Sequence, residues 1–374
     1  MKNTALFIAA LALILAACAP AATPAPVAPA VTEAPAAVEA TTAPAAAAPV
    51  HVAFFVPWTE DVWYVVAIKA AKDRAAQLGI ELDVFDGGNK VEQQLQQFDN
   101  ALVAKPDAIV LSSVDPATMV PSIEKASAQG IKTVVYDRPI FATTKLDALL
   151  VLDTPNMGEM QGQAIVDYLT QKNGSAKGKV IRVYGDLADT WVTGISEGWD
   201  PFMAKYPDIK VLQAMSGAWA PDQASANVEQ LLTANPDVDA IVMDSDWLAS
   251  GIITYLKSRY DPVGGGNHIF VIGDGGMPEG LQYIRDGYMD MTINNPVPDF
   301  VGAAIEVAYK LANGEALPDQ WVEEGKPWSP APITMNAPTT DKPYAGPVVN
   351  MGNFIVDKTN VDDPTLWGNM ANQP

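Results

Sequence analysis

Val52-Ala-Phe-Phe-Val-Pro-Trp-Thr-Glu-Asp-Val-Trp-Tyr64 begins as a strand, breaks, and continues as a helix. Val52 to Val56 is an apolar run of strand length and composition, and Pro57 ends it. The residues that follow put Trp58, Trp63 and Tyr64 into one loop with the carboxylates of Glu60 and Asp61. From Tyr64 the spacing is helical, with Ala67, Ala71, Ala75 and Leu78 on one face before Gly79 stops it. A buried strand, a polar-aromatic loop and a helix open an α/β unit. In open α/β sheets, ligands lie at the carboxyl ends of the strands. The loop is therefore the first candidate wall of a binding site.

The same rhythm repeats downstream. Strands are predicted at 81–86, 108–112, 133–137 and 148–153, with helices between the first two pairs and none between the last. A long helical stretch over 156–172 opens a second series, with strands at 179–184, 209–212, 240–243, 269–272 and 289–293. Helical segments fill its gaps at 194–206, 222–234, 247–257 and 278–286, and a last helix is expected over 299–312. Such alternation implies parallel sheets with helices on both faces, and two series imply two doubly wound α/β lobes. The tail from Leu317, rich in Pro, Asn and Trp, reads as irregular with one strand near Phe354.

Ahead of this domain, Met1-Lys-Asn3 precedes an apolar segment from Ala5 to Ala17, too short for a comfortable membrane span. Leu15-Ala-Ala-Cys18 is similar to a bacterial lipobox, and Cys18 is the only Cys in 374 residues. A lone Cys there points to a lipid anchor and excludes internal disulfides. Residues 19–50 are almost entirely Ala, Pro, Thr and Val and read as a flexible tether. They inflate the overall hydrophobic fraction of 49%. The formal charge of −21 argues against nucleic acid or an anionic membrane surface as partner. His51 and His268 are too few and too separated for a metal site or a triad.

Aromatic and acidic residues gather at the strand-to-helix loops. Trp58, Trp63, Trp191, Trp219 and Trp247 fall there, as do Asp61, Asp137, Asp153, Asp186, Asp189, Asp244, Asp246 and Asp274, with Arg138 beside Asp137. Taken singly, such an Asp caps a helix and such a Trp fills an interface. Jointly, loops of both series carry the same mixture, and their ends converge if the lobes face one another. Carboxylates accept hydroxyl hydrogen bonds, Asn and Arg add planar donors, and Trp covers the C–H face of a sugar ring. A neutral polyhydroxylated ligand fits this set. A phosphate would call for a Gly-rich nest, and Gly264-Gly-Gly266 lacks that spacing.

The chain resembles the type I periplasmic sugar-binding proteins of ABC transporters, the ribose, galactose and xylose group, from about Val52 to Gly314. Trp63-Tyr64, 105–110, 130–139, 197–199, 235–240, 271–275 and 292–296 carry the likeness. The resemblance implies that Asp61 binds ligand, that Trp63 and Tyr64 stack on the sugar, and that Asp137 and Arg138 bind ring hydroxyls. It assigns Trp219 as the second lobe's stacker, Asp274 as a hydroxyl-binding carboxylate and Asn295 as a hinge amide. Ser245-Asp246 stands where the family usually has Asn-Asp, and Thr193 where an Arg commonly reaches the ligand, with Trp191 as a compensating neighbour. Trp58 shares the first-lobe wall, while Trp219, Asp246 and Asp274 form the opposite jaw. Implied lobes are 50–153 with 296–317, and 154–295 with 318–360, leaving 361–374 as a tail. The crossings then fall near Asp153–Asn156, Asn295–Pro298 and Leu317, with the last helix on the first lobe. The expected protein is a monomeric, lipid-anchored receptor, without cofactor or metal, that hands an aldohexose or aldopentose to ABC permease subunits.

Three other readings use the same residues. A sensor that presents the bound sugar to a chemoreceptor or kinase shares every feature of the site. Trp faces with carboxylates also suit a cationic ligand, against which stands Arg138 in the same cleft. A glycoside hydrolase would pair Asp with Glu, but a doubly wound cleft and the resemblance favour binding.

Overall fold

A computed structural model describes residues 48–370. Cys18, the 1–18 leader, nearly all of the 19–50 tether and the last four residues lie outside the described residues. The first series runs β1 (His51–Val56), α1 (Val62–Leu78), β2 (Glu81–Asp86), α2 (Val91–Ala104), β3 (Ala108–Leu111), α3 (Val120–Ala128), β4 (Lys132–Tyr136) and β5 (Ala148–Leu152). The second runs α4 (Thr154–Asn173), β6 (Gly178–Tyr184), α5 (Thr190–Met203), β7 (Ile209–Met215), α6 (Pro221–Ala234) and β8 (Ala240–Met243). It continues through a single 3-10 turn at Asp246–Leu248, α7 (Ala249–Arg259), β9 (Phe270–Gly275), α8 (Pro278–Asp286) and β10 (Met291–Asn294). Then come α9 (Val297–Ala312), β11 (Gln320–Trp321), β12 (Ala331–Met335), β13 (Pro347–Met351), β14 (Phe354–Asp357) and α10 (Trp367–Met370).

These strands make two sheets, ordered β11-β12-β13-β5-β4-β3-β1-β2 and β14-β10-β9-β8-β6-β7. β1 to β5 and β6 to β10 are parallel throughout, as the alternation requires. Side chains on β1 divide by the strand's period of two. Val52, Phe54 and Val56 join the core under α1 and α9, while Ala53 and Phe55 join the core under α2 and α3. Both faces are therefore covered, which is why the strand reads as a continuous apolar run. As expected, the last helix lies on the first lobe, where Ala67, Ala71 and Ala75 of α1 share a core with Ala303, Ala304 and Ala308 of α9. The histidines sit away from the cleft, His51 against Asp83 and His268 against Asp290.

The tail departs from its reading. β11, β12 and β13 were not expected, and they extend the first sheet, β13 pairing parallel with β5 in the register Val348↔Leu149. Residues 318–351 thus belong to the first lobe, not the second. The third crossing lies at Gly352–Asn353, not near Leu317, because only β14 joins the second sheet, antiparallel to β10. Pro332 and Pro347 mask these strands in the sequence, since Pro removes a ladder donor and is tolerated at strand starts and edges.

Candidate functional site

Both sheets place their order reversal beside the cleft. β1 lies between β2 and β3, and β6 between β7 and β8. A ligand crevice forms where the strand order reverses, at the carboxyl ends. Here those ends supply Trp58 to Tyr64 after β1, Asp137-Arg138 after β4, Asp189 and Trp191 after β6, Asp244-Ser245 after β8, and Asp274 to Met277 at the end of β9. Together with Trp219 and Asn295 they enclose a cavity of about 50 Å³. That is room for about four waters, so a sugar ring enters only when the lobes part.

Helix capping and cavity lining are done by the same carboxylates. Asp61 caps α1 by accepting from the Trp63 N–H at 2.8 Å, and Asp189 caps α5 by accepting from the Trp191 N–H at 3.0 Å. Ser245 caps the 3-10 turn, accepting from the Trp247 N–H at 3.2 Å. Asp137 accepts from the Tyr64 hydroxyl at 2.7 Å and the Ser112 hydroxyl at 2.9 Å. Asp137 and Trp219 hold φ of 67° and 59°, left-handed conformations that cost a non-glycine residue about 1 kcal/mol or more. Trp219 lies over Gly185, where a Cβ would meet its ring.

Arg138 spans the cleft. Its Nη2 donates to Asp189 Oδ2 of the other lobe at 2.9 Å, and its Nη1 donates to the carbonyls of Ser113 and Val114 at 3.2 Å. The guanidinium lies 4.6 Å from the centre of the Trp58 ring, and the Trp219 indole N–H donates to Asp189 Oδ2 at 3.1 Å. These four residues also line an outer cavity of about 180 Å³ with Asn89, Asp115 and Asp186. They form the partition between the two spaces. Trp58 therefore has a ring face engaged by Arg138, while Trp63 stacks on Tyr136 behind the wall.

Burial sets the electrostatics. It pushes the Asp61 carboxyl up to about 7, and the Asp137 carboxyl to about 6 against the pull of Arg138. Asp274 is raised well above the usual carboxylate range by burial and by nearby Asp246. Asp244 is raised by burial too, although Arg182 donates to its Oδ1 at 3.3 Å and opposes the shift. Asp274 accepts one bond, from the Asn295 side-chain amide at 3.2 Å.

Eleven of the expected positions line the cavity: Trp58, Asp61, Trp63, Tyr64, Asp137, Arg138, Trp191, Trp219, Ser245, Asp274 and Asn295. Two do not. Asp246 lies behind the wall, where it accepts from the Thr292 hydroxyl at 2.9 Å and the Met277 N–H at 3.0 Å. Its carboxylate is consumed in joining β10 to the turn before α8. Thr193 faces a neighbouring crevice with Glu197 and Lys342, its hydroxyl donating to Thr190 O. Asp189, Asp244, Gly275 and Met277 also line the cavity. The two Asp were visible as loop carboxylates, but nothing in the sequence singled out the Gly275–Met277 turn.

The comparisons agree with this geometry. The periplasmic binding protein domain family matches residues 52–316. The D-xylose-binding periplasmic protein of Escherichia coli is 28% identical over 248 residues, 65% of this chain and 72% of that protein. The ribose import binding protein of Salmonella typhimurium is 25% identical over 267 residues, 71% of this chain and 86% of that one. A sugar ABC transport substrate-binding protein from Bordetella parapertussis superposes with a TM-score of 0.72 at 20% identity, over 88% of this chain and 96% of that one. A solute-binding protein from Mycobacterium smegmatis with bound glycerol gives 0.68 at 25% identity, over 84% and 96%. Two open α/β lobes joined by three crossings, and a match that spans both, place this chain in the periplasmic binding protein domain family, in its two-lobed type I form.

Proposed function

We propose that this chain is an extracytoplasmic solute-binding protein that captures a monosaccharide between its lobes and delivers it to an ABC importer. The observation that carries this reading is one cavity walled from both lobes by Trp and Asp, with Arg138 and Asp189 meeting across it. A ring bound there contacts both lobes and so favours the closed form, which permease subunits can read. The relatives are binding proteins, and the lining performs no bond chemistry in this reading. An aldohexose or aldopentose suits five aromatic walls better than a flexible polyol. Cys18 and the 19–50 segment supply the lipid anchor and tether. Among the described residues, no helix is long and apolar enough to cross a membrane.

Calorimetry of the full chain against pentoses, hexoses and polyols should find at least one tight ligand. Asp137→Ala should weaken it by about 1–3 kcal/mol, the cost of stranding buried donors. Trp63→Ala should lower affinity while the chain stays folded. Absence of heat with every sugar and polyol would refute the reading.

A further inference from the structure

The cavity's acidic groups outnumber its cations. Its lining holds five carboxylates, Asp61, Asp137, Asp189, Asp244 and Asp274, and one cation, Arg138. Arg138 is already engaged, with Asp189 at 2.9 Å and Asp137 at 3.9 Å. Asp244 has its own cation in Arg182, which is fully buried behind it. Asp61 on the first lobe and Asp274 on the second form no salt bridge among the described residues. Independently, Asp274 Oδ2 and Asn295 Oδ1 are buried acceptors without a hydrogen-bond partner, on side chains 1% and 2% exposed. Both residues line the cavity. A buried unmet acceptor is costly, so the complement of this wall is a donor, and an ammonium placed there would favour the ionised Asp274 carboxyl against the effect of burial. The aromatic lining of Trp63, Trp191 and Trp219 suits a cation as well.

From this arrangement we infer that the ligand is an aminodeoxy sugar, its hydroxyls meeting the first-lobe polar groups and its ammonium meeting Asp274 and Asn295. The inference rests on the sugar-binding reading and sharpens it. Arg138, the feature in the sequence that speaks against a cation, has its charge taken up by Asp189. Uronic acids and sugar phosphates, which bring acceptors and negative charge to an acceptor-lined wall, are excluded by the same chemistry.

The test is calorimetry on the full wild-type chain with matched pairs at neutral pH: glucose with glucosamine, galactose with galactosamine, mannose with mannosamine. N-acetylglucosamine serves as the uncharged control. In at least one pair the amino sugar should bind at least about tenfold tighter than its parent, the gain of one charge-assisted hydrogen bond. The N-acetyl form should lose that gain, and Asp274→Asn should narrow the gap within the pair. Parents that bind as tightly as their amino partners overturn the inference and leave the sugar reading intact. No binding by any amino sugar overturns the inference, and the sugar reading falls with it only if the pentoses, hexoses and polyols also give no heat.

Discussion

Arg138 and Asp189 come from different lobes and meet at 2.9 Å in the wall between the inner and outer cavities. Their separation in the chain is bridged only by closure, so the pair exists in the closed form and is lost when the lobes part. A charged hydrogen bond of this kind is roughly twice as strong as a neutral one, and it is sheltered by Trp58 and Trp219.

Asp189→Asn keeps the shape and the α5 cap but removes the charge. The ligand-free chain should then populate the open form more, seen as a larger radius of gyration in solution scattering. Ligand affinity should fall about tenfold, since closure loses about 1.4 kcal/mol. An unchanged radius with unchanged affinity would remove the latch from the mechanism.

Gly198→Ala tests the hinge-side packing of α4 on α5. In an open helix the change would gain roughly 1 kcal/mol. Here a Cβ would run into the backbone oxygen of Pro155 at the start of α4. The expected result is destabilisation by roughly 1–3 kcal/mol, read from chemical denaturation. A stabilised variant would show that the helices are free to shift apart.

Trp367→Phe removes an indole N–H that donates to Gly275 O at 2.8 Å, from the tail to the turn that lines the cavity. Stability should drop by about 1 kcal/mol, and ligand affinity should drop with it as Gly275–Met277 loosens. If stability falls and affinity does not, the tail supports the fold alone.

The ligand-free chain should lose stability as pH rises from 3.8 to about 7. Burial raises Asp61 and Asp246 from 3.8 to about 7 and Asp137 to about 6. Across that window the folded state binds more protons than the unfolded state, so unfolding becomes easier with each step upward. His268, raised by its bond to Asp290 against the effect of burial, acts in the same direction above 6.5. Calorimetric melting should show a Tm that falls through this range. A Tm that climbs through this range would contradict the buried, cation-poor carboxylates.

The α/β rhythm was legible because buried parallel strands are continuous apolar runs, and the helices between them keep their own period. β11 to β13 were not legible. Their pairing is decided by the exposed edge of β5, and their own residues, such as Met335 at 68% exposure, follow no core pattern. Of the site, the loop residues were readable as a set, but not their division of labour. Asp244 and Asp246 stand two positions apart with the same chemistry in the sequence. One lines the cavity, and the other is spent on Thr292 and the Met277 N–H.

By itself, then, the sequence determined the elements, the two series and which loops carry aromatic and acidic side chains, because hydrophobic periodicity and helix capping act over a few residues. Tertiary structure alone decided which carboxylates have a cation. Arg138 finds Asp189, Asp244 finds Arg182, and Asp61 and Asp274 pair with no cation among the described residues. Ion pairing falls off within a few ångströms, and those distances are set by how strands distant in sequence are brought side by side.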